Sequence, residues 1–129
     1  MKKITSAVGL LVVAVAGTVL AQQAGFTRVA LQTQDLSAPG RVAVQARAEF
    51  DPGVAAGRHT HPGEELGYVL EGELELRIDG QAPRTVKAGE TFFVPAGLVH
   101  DGVNTGSSKA KVLATYVVEK GKPVATPVK

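Results

Sequence analysis

From residue 28 onward the chain is a series of short alternations. Arg41 to Phe50 (RVAVQARAEF) is apolar at every even position and polar or charged at four of its five odd positions. A period of two is the signature of a β-strand with one buried face. Glu73 to Asp79 repeats the pattern, with Leu74, Leu76 and Ile78 pointing one way and four charges the other. Leu66 to Leu70 (LGYVL) and Val112 to Val118 (VLATYVV) are apolar on both faces. Between these runs lie turn signals: Asp51-Pro52-Gly53, Glu71-Gly72, Asp79-Gly80, Ala88-Gly89, Pro95-Ala96-Gly97 and Asp101-Gly102. Many short strands separated by Gly and Pro turns predict an all-β sandwich or barrel. No amphipathic helix is evident after the first segment. The pattern predicts a short flexible tail over 22–27, one barrel domain over 28–120 and an extended arm over 121–129.

The first segment follows a different pattern. Met1-Lys2-Lys3 is a basic start, and Ala7 to Leu20 is a 14-residue run without charge. Val19-Leu20-Ala21 then offers small or aliphatic residues where a signal peptidase reads. A spanning helix needs roughly 20 apolar residues, so a cleaved secretory signal peptide over 1–21 fits better than a retained anchor. The expected destination is the periplasm or the exterior, with no membrane contact after cleavage.

Charge changes little beyond this. The chain has 14 Lys+Arg and 12 Asp+Glu; Lys2 and Lys3 lie in the leader, so residues 22–129 carry 12 of each. A neutral domain with six aromatics and no basic cluster is not built to follow phosphates, which argues against nucleic-acid binding. The chain has no cysteine, so it has no disulfide and no thiolate ligand.

The histidines supply the candidate chemistry. His59 and His61 are two apart, so on a strand their imidazoles share a face. Pro62-Gly63 can turn the chain to bring Glu65 beside them, and His100 follows the turn at Pro95-Ala96-Gly97. Three neutral imidazoles and a carboxylate suit a divalent transition ion. Taken singly, each residue has an ordinary reading: a surface histidine beside Pro and Gly, a solvated acid, a loop cap.

The surrounding pattern decides between these readings. Gly53 to Gly72 reads G-VAAGR-H-T-H-PGE-E-LGYVLE-G, and Gly89 to Asn104 reads G-ETFFV-P-A-G-LV-H-DGV-N. These stretches resemble the two conserved motifs of the cupin family, in the family's order and spacing, with a short inter-motif segment as in small single-domain members. The resemblance implies a double-stranded β-helix, or jelly-roll barrel. It also implies one divalent metal ion (Fe, Mn, Ni, Cu, Co or Zn, not distinguished) held by His59, His61, Glu65 and His100. The motif glycines Gly53, Gly72, Gly89 and Gly97 fit bends or positive φ. Pro95 fits a strand end, and Asn104 a turn.

Strand parity leaves the pocket mostly apolar. Tyr116 shares a face with Val112 and Ala114, one of Phe92 and Phe93 faces inward, and Arg47 faces away. An apolar pocket around one ion suits a small organic molecule that chelates through oxygen. The first reading is therefore a dioxygenase-like oxidoreductase. The alternatives are a non-catalytic binding module for a metal or small ligand, and a metal-dependent isomerase or lyase. The last is weakened by the lack of an evident inward Lys, Arg or further His. The two-sided apolar strands need cover from the arms or a second subunit, and the resemblance also suggests a homodimer.

Overall fold

The computed structural model describes residues 23–129; the expected signal peptide over 1–21 lies outside the described residues. The described residues form ten strands and no helix. They are β1 (Phe26–Asp35), β2 (Arg41–Phe50), β3 (His59–Thr60), β4 (Gly63–Glu71), β5 (Glu73–Ile78), β6 (Arg84–Lys87), β7 (Thr91–Val94), β8 (His100–Val103), β9 (Ala110–Glu119) and β10 (Thr126–Pro127). Two five-stranded antiparallel sheets face each other, ordered β1-β2-β9-β4-β7 and β10-β3-β8-β5-β6. This is the jelly roll expected from the sequence.

The alternating strands behave as their patterns require. On β5, Leu74, Leu76 and Ile78 are buried while the residues between them are half-buried or exposed. On β2, Ala46, Ala48 and Phe50 face inward. The doubly apolar β9 is the central strand of its sheet, paired with β2 on one side and β4 on the other. Phe92 is buried and Phe93 is exposed. The four motif glycines all take positive φ. At Gly72, φ is +70° and an added Cβ would lie 2.7 Å from the Lys109 carbonyl oxygen, so the turn requires the absence of a side chain.

Both ends of the barrel differ in detail from the sequence boundaries. β1 begins at Phe26, two residues before the expected edge of the domain, and the Phe26 ring is buried in the core. The turn leading into it is tied down, with Phe26 N donating to the Gln23 carbonyl (3.0 Å) and Asp51 N to that of Gly25 (2.8 Å). A buried aromatic outweighs the flexible composition around it. The arm over 121–129 returns across the barrel mouth, and its β10 pairs with β3, Pro127 opposite His59.

Candidate metal centre

Register brings the four residues to one place. His59 lies opposite His100 in the β3–β8 pair, and Ile78 of β5 is the other neighbour of His100. His61 follows immediately after β3. Glu65 comes from the other sheet, on β4, opposite Tyr116 of β9. One ligand atom from each of His59, His61, Glu65 and His100 lies within 4.8 Å of every other, and all four residues are buried. Gly63 allows this turn to sit tight against β9, since an added Cβ would lie 1.9 Å from the Val117 carbonyl oxygen.

Each imidazole is oriented by a backbone carbonyl. His59 Nδ1 faces the Gly57 oxygen at 2.6 Å, His61 Nδ1 the Val124 oxygen at 2.5 Å, and His100 Nδ1 the Leu98 oxygen at 2.9 Å. A carbonyl only accepts, so each Nδ1 carries the proton and donates it. In the neutral ring the Nε2 atoms are then lone-pair donors aimed inward, as metal-binding histidines require. His61 Nε2 and His100 Nε2 stand 3.0 and 3.1 Å from the same Glu65 oxygen. Three lone-pair atoms in such contact repel unless a cation lies among them, either added protons or a metal ion. The residues fit a metal ion.

Electrostatics point the same way. Burial is the largest effect on His59 and lowers its pKa to about 4, helped by the neighbouring His100, His61 and Arg28, against the raising effect of the Gly57 bond. Burial alone would raise Glu65, but in the ion-free cluster the contacts with His100 and His61, made as hydrogen bonds when the rings carry the added protons, outweigh it and hold the carboxyl at about 2. Near neutral pH the site therefore offers a neutral His59 and an ionised Glu65. Tyr116 is 1 % exposed, with its ring 4.6 Å from that of His61. Burial, then the nearby Glu65 charge, push its phenol upward, so it remains a proton donor.

The chamber around the cluster has a volume of about 30 Å³, room for about two water-sized groups, and is walled mainly by Phe26, Phe50, Leu76, Phe92 and Tyr116. The apolar pocket expected from the sequence is present, with one correction. Arg28 also lines it, so the site does have an inward cation. The sequence contained the signal: Phe26 and Arg28 are two apart, and a buried Phe26 carries the guanidinium inward with it. The relation crosses the expected domain edge at residue 28. Asn104 lies apart from the cluster. Its amide donates to the Phe50 and Ser108 carbonyls at 3.1 and 2.8 Å and accepts from Gly106 N at 3.0 Å, a structural tie as expected.

The sequence of residues 46–116 matches the cupin domain family. The chain is a cupin. Over 76 residues the cupin is 45% identical to germin-like protein subfamily 2 member 2 of Arabidopsis thaliana, covering 55% of this chain and 35% of that protein. Over 78 residues it is 37% identical to oxalate oxidase 2 of Hordeum vulgare, covering 54% of this chain and 35% of that one. The solved structure of an oxalate oxidase in complex with the substrate analogue glycolate aligns with a TM-score of 0.66 at 30% identity, covering 81% of this chain and 55% of that chain. The cupin thus spans about a third of the length of these curated relatives.

Proposed function

We propose that this cupin is an exported metalloprotein holding one divalent transition ion through His59, His61, Glu65 and His100, and that it is an oxidoreductase acting on a small, oxygen-chelating organic molecule. The observation that carries the reading is the set of three Nδ1–carbonyl bonds, which leave the other ring nitrogens to converge with the Glu65 carboxylate, two of them in direct contact with it. When bound, the ion supplies an open coordination position and redox capacity that no side chain in the chamber has. The protein's own part is to fix the imidazoles, keep Glu65 ionised, and exclude water with the Phe26, Phe50, Phe92 and Tyr116 rings. The likeness to oxalate oxidases supports oxidation as the chemistry.

The test has two stages. Elemental analysis of protein purified without chelator or nickel resin is expected to find one equivalent of Fe, Mn, Ni, Cu, Co or Zn, absent from His59→Ala and His100→Ala. Oxygen uptake is then measured with oxalate, phenols and diketones. A wild type without metal, or metal-loaded protein that consumes no oxygen with any of them, defeats the corresponding half of the proposal.

One observation favours a second reading. A chamber of about 30 Å³ leaves room for an ion and little else, as a non-catalytic metal or small-ligand binding module would need. Metal affinity without turnover would select that reading. We also propose a homodimer through the outer face of β4 and β7, where Leu66, Tyr68, Leu70 and Phe93 are exposed together. Light scattering on the purified protein tests it, a monomeric mass counting against it.

A further inference from the structure

Of the three carbonyls that orient the imidazoles, one belongs to a glycine. His59 Nδ1 donates to the Gly57 oxygen at 2.6 Å, whereas His61 and His100 use Val124 and Leu98. Gly57 has φ +91°, and glycine has the widest backbone freedom of any residue. Its carbonyl keeps a fixed aim only if something holds the residue. Residues 53–56 lie antiparallel to β8. Gly53 N donates to the Asn104 carbonyl (2.8 Å), Asn104 N to that of Val54 (2.9 Å) and Ala56 N to that of Gly102 (2.9 Å). Ala55 pairs with Val103, and the next rung is His59 with His100. Residues 56–58 therefore face only residues 101 and 102, and the surplus residue makes a bulge.

At this bulge a side chain takes over from the backbone ladder. Gly57 N donates to Asp101 Oδ1 at 3.0 Å. A bulge beside a site re-aims the neighbouring side chain, and here the links run in series. Asp101 holds the Gly57 N–H, the Gly57 carbonyl holds Nδ1 of His59, and the other ring nitrogen of His59 is left for the cluster. Asp101 follows His100 on β8 but lies on the opposite face. His100 and Gly102 are buried, while Asp101 is half-buried beside Arg58, Arg77 and Asp79. It is not one of the four clustered residues, so it acts on them through Gly57.

We propose that Asp101 is a positioning residue of the metal centre: its carboxyl oxygen pins the Gly57 bulge, and the pinned carbonyl fixes the aim of the His59 ring. This rests on the proposal that the cluster holds an ion. It extends the centre to the outer face of β8, at a position that the second motif leaves unspecified between His100 and Asn104. Loss of a group that orients a metal ligand costs about 10–100-fold in metal affinity. Asp101 is one link further out, which places its effect near the lower end, at about tenfold.

The experiment titrates metal-free wild type, Asp101→Ala, Asp101→Asn and Val86→Ala with Co²⁺, followed by visible absorption, with melting temperatures measured on the same samples. Val86→Ala is the control for lost stability, since Val86 is fully buried in the core and does not line the chamber. Asp101→Ala is expected to bind Co²⁺ about tenfold more weakly, with an altered absorption band as His59 loses its aim. Asp101→Asn keeps an acceptor oxygen and should restore most of the affinity and the wild-type band. Val86→Ala should melt earlier and bind Co²⁺ as wild type does. If Asp101→Ala does not fold, Asp101→Val, which suits a strand and equally lacks an acceptor, takes its place. Asp101→Ala matching wild type in affinity and band overturns the positioning role and leaves the metal proposal standing. So does Asp101→Asn binding no better than Asp101→Ala, or Val86→Ala losing affinity to the same extent. Failure of wild type to take up Co²⁺ overturns the metal proposal and this inference with it.

Discussion

Strands β4 and β5 are joined by a single glycine turn, yet they follow opposite rules. β5 buries Leu74, Leu76 and Ile78 and leaves its charges outward. β4 buries Gly63, Glu65, Gly67 and Val69, and leaves Leu66, Tyr68 and Leu70 exposed by 43% or more. A strand obeying only apolar burial would be turned over. What holds β4 as it is lies opposite its inward positions. Gly67 leaves space that the Phe92 ring fills, and Glu65 meets two imidazoles. The inverted strand brings the carboxylate to the histidines of β3 and β8, while the regular strand contributes only packing to the core.

The sharpest way to break this contrast is Glu65→Leu, which gives β4 the rule of β5. Metal affinity is expected to fall more than about 100-fold by titration, since an anionic ligand is lost. The metal-free variant should melt at or above the metal-free wild type, because a buried charge has been replaced by packing. A much lower melting temperature would mean that Glu65 is structural. On β5, Leu76→Ala should cost about 2–5 kcal/mol in denaturant unfolding. Gly67→Ala is next: its Cβ would stand 2.1 Å from the Phe92 ring, and overpacking of this kind costs about 1–3 kcal/mol. Leu66→Ala on the outer face should change monomer stability by less than about 0.5 kcal/mol. If the proposed dimer forms, the substitution's effect is expected in light scattering instead, as weaker association.

Acid should set the site apart from the core as well, through stability followed against pH in metal-free protein. His59 has a folded pKa near 4 against 6.5 unfolded, so the unfolded chain binds more protons between those values and stability falls as pH drops through that window. Glu65, at about 2 folded against 4.5 unfolded, contributes stability above 4.5 that is lost as pH falls toward 2. The Glu65→Leu variant should lose the lower part of this acid sensitivity and keep the upper part. A flat profile from pH 6.5 to 4 in the wild type would count against a buried, neutral His59.

Strand parity made β2, β5 and β9 legible because their apolar residues face a core and nothing competes. The four clustered residues were legible through motif spacing, not through burial logic, which would have placed Glu65 in water. Arg28 was missed for a local reason. Phe26 is the one buried residue of β1 and Ala30 to Asp35 are all exposed, so no run of inward apolar residues marks the parity that Arg28 shares with Phe26. The contact between Val124 and His61 spans 63 residues and has no sequence signature, since any residue can offer a carbonyl.

That contact has a consequence for anyone handling the protein. The least patterned stretch of the chain reaches back with one backbone oxygen to steer the imidazole of His61, while its Val128 N–H clips onto the Arg58 carbonyl at 2.9 Å. The tail therefore acts as a clasp whose closure aligns the ring. An affinity tag, a fusion or a protease nick in residues 121–129 would change the aim of the His61 ring, and with it the affinity for the proposed ion, without altering any of the four clustered side chains.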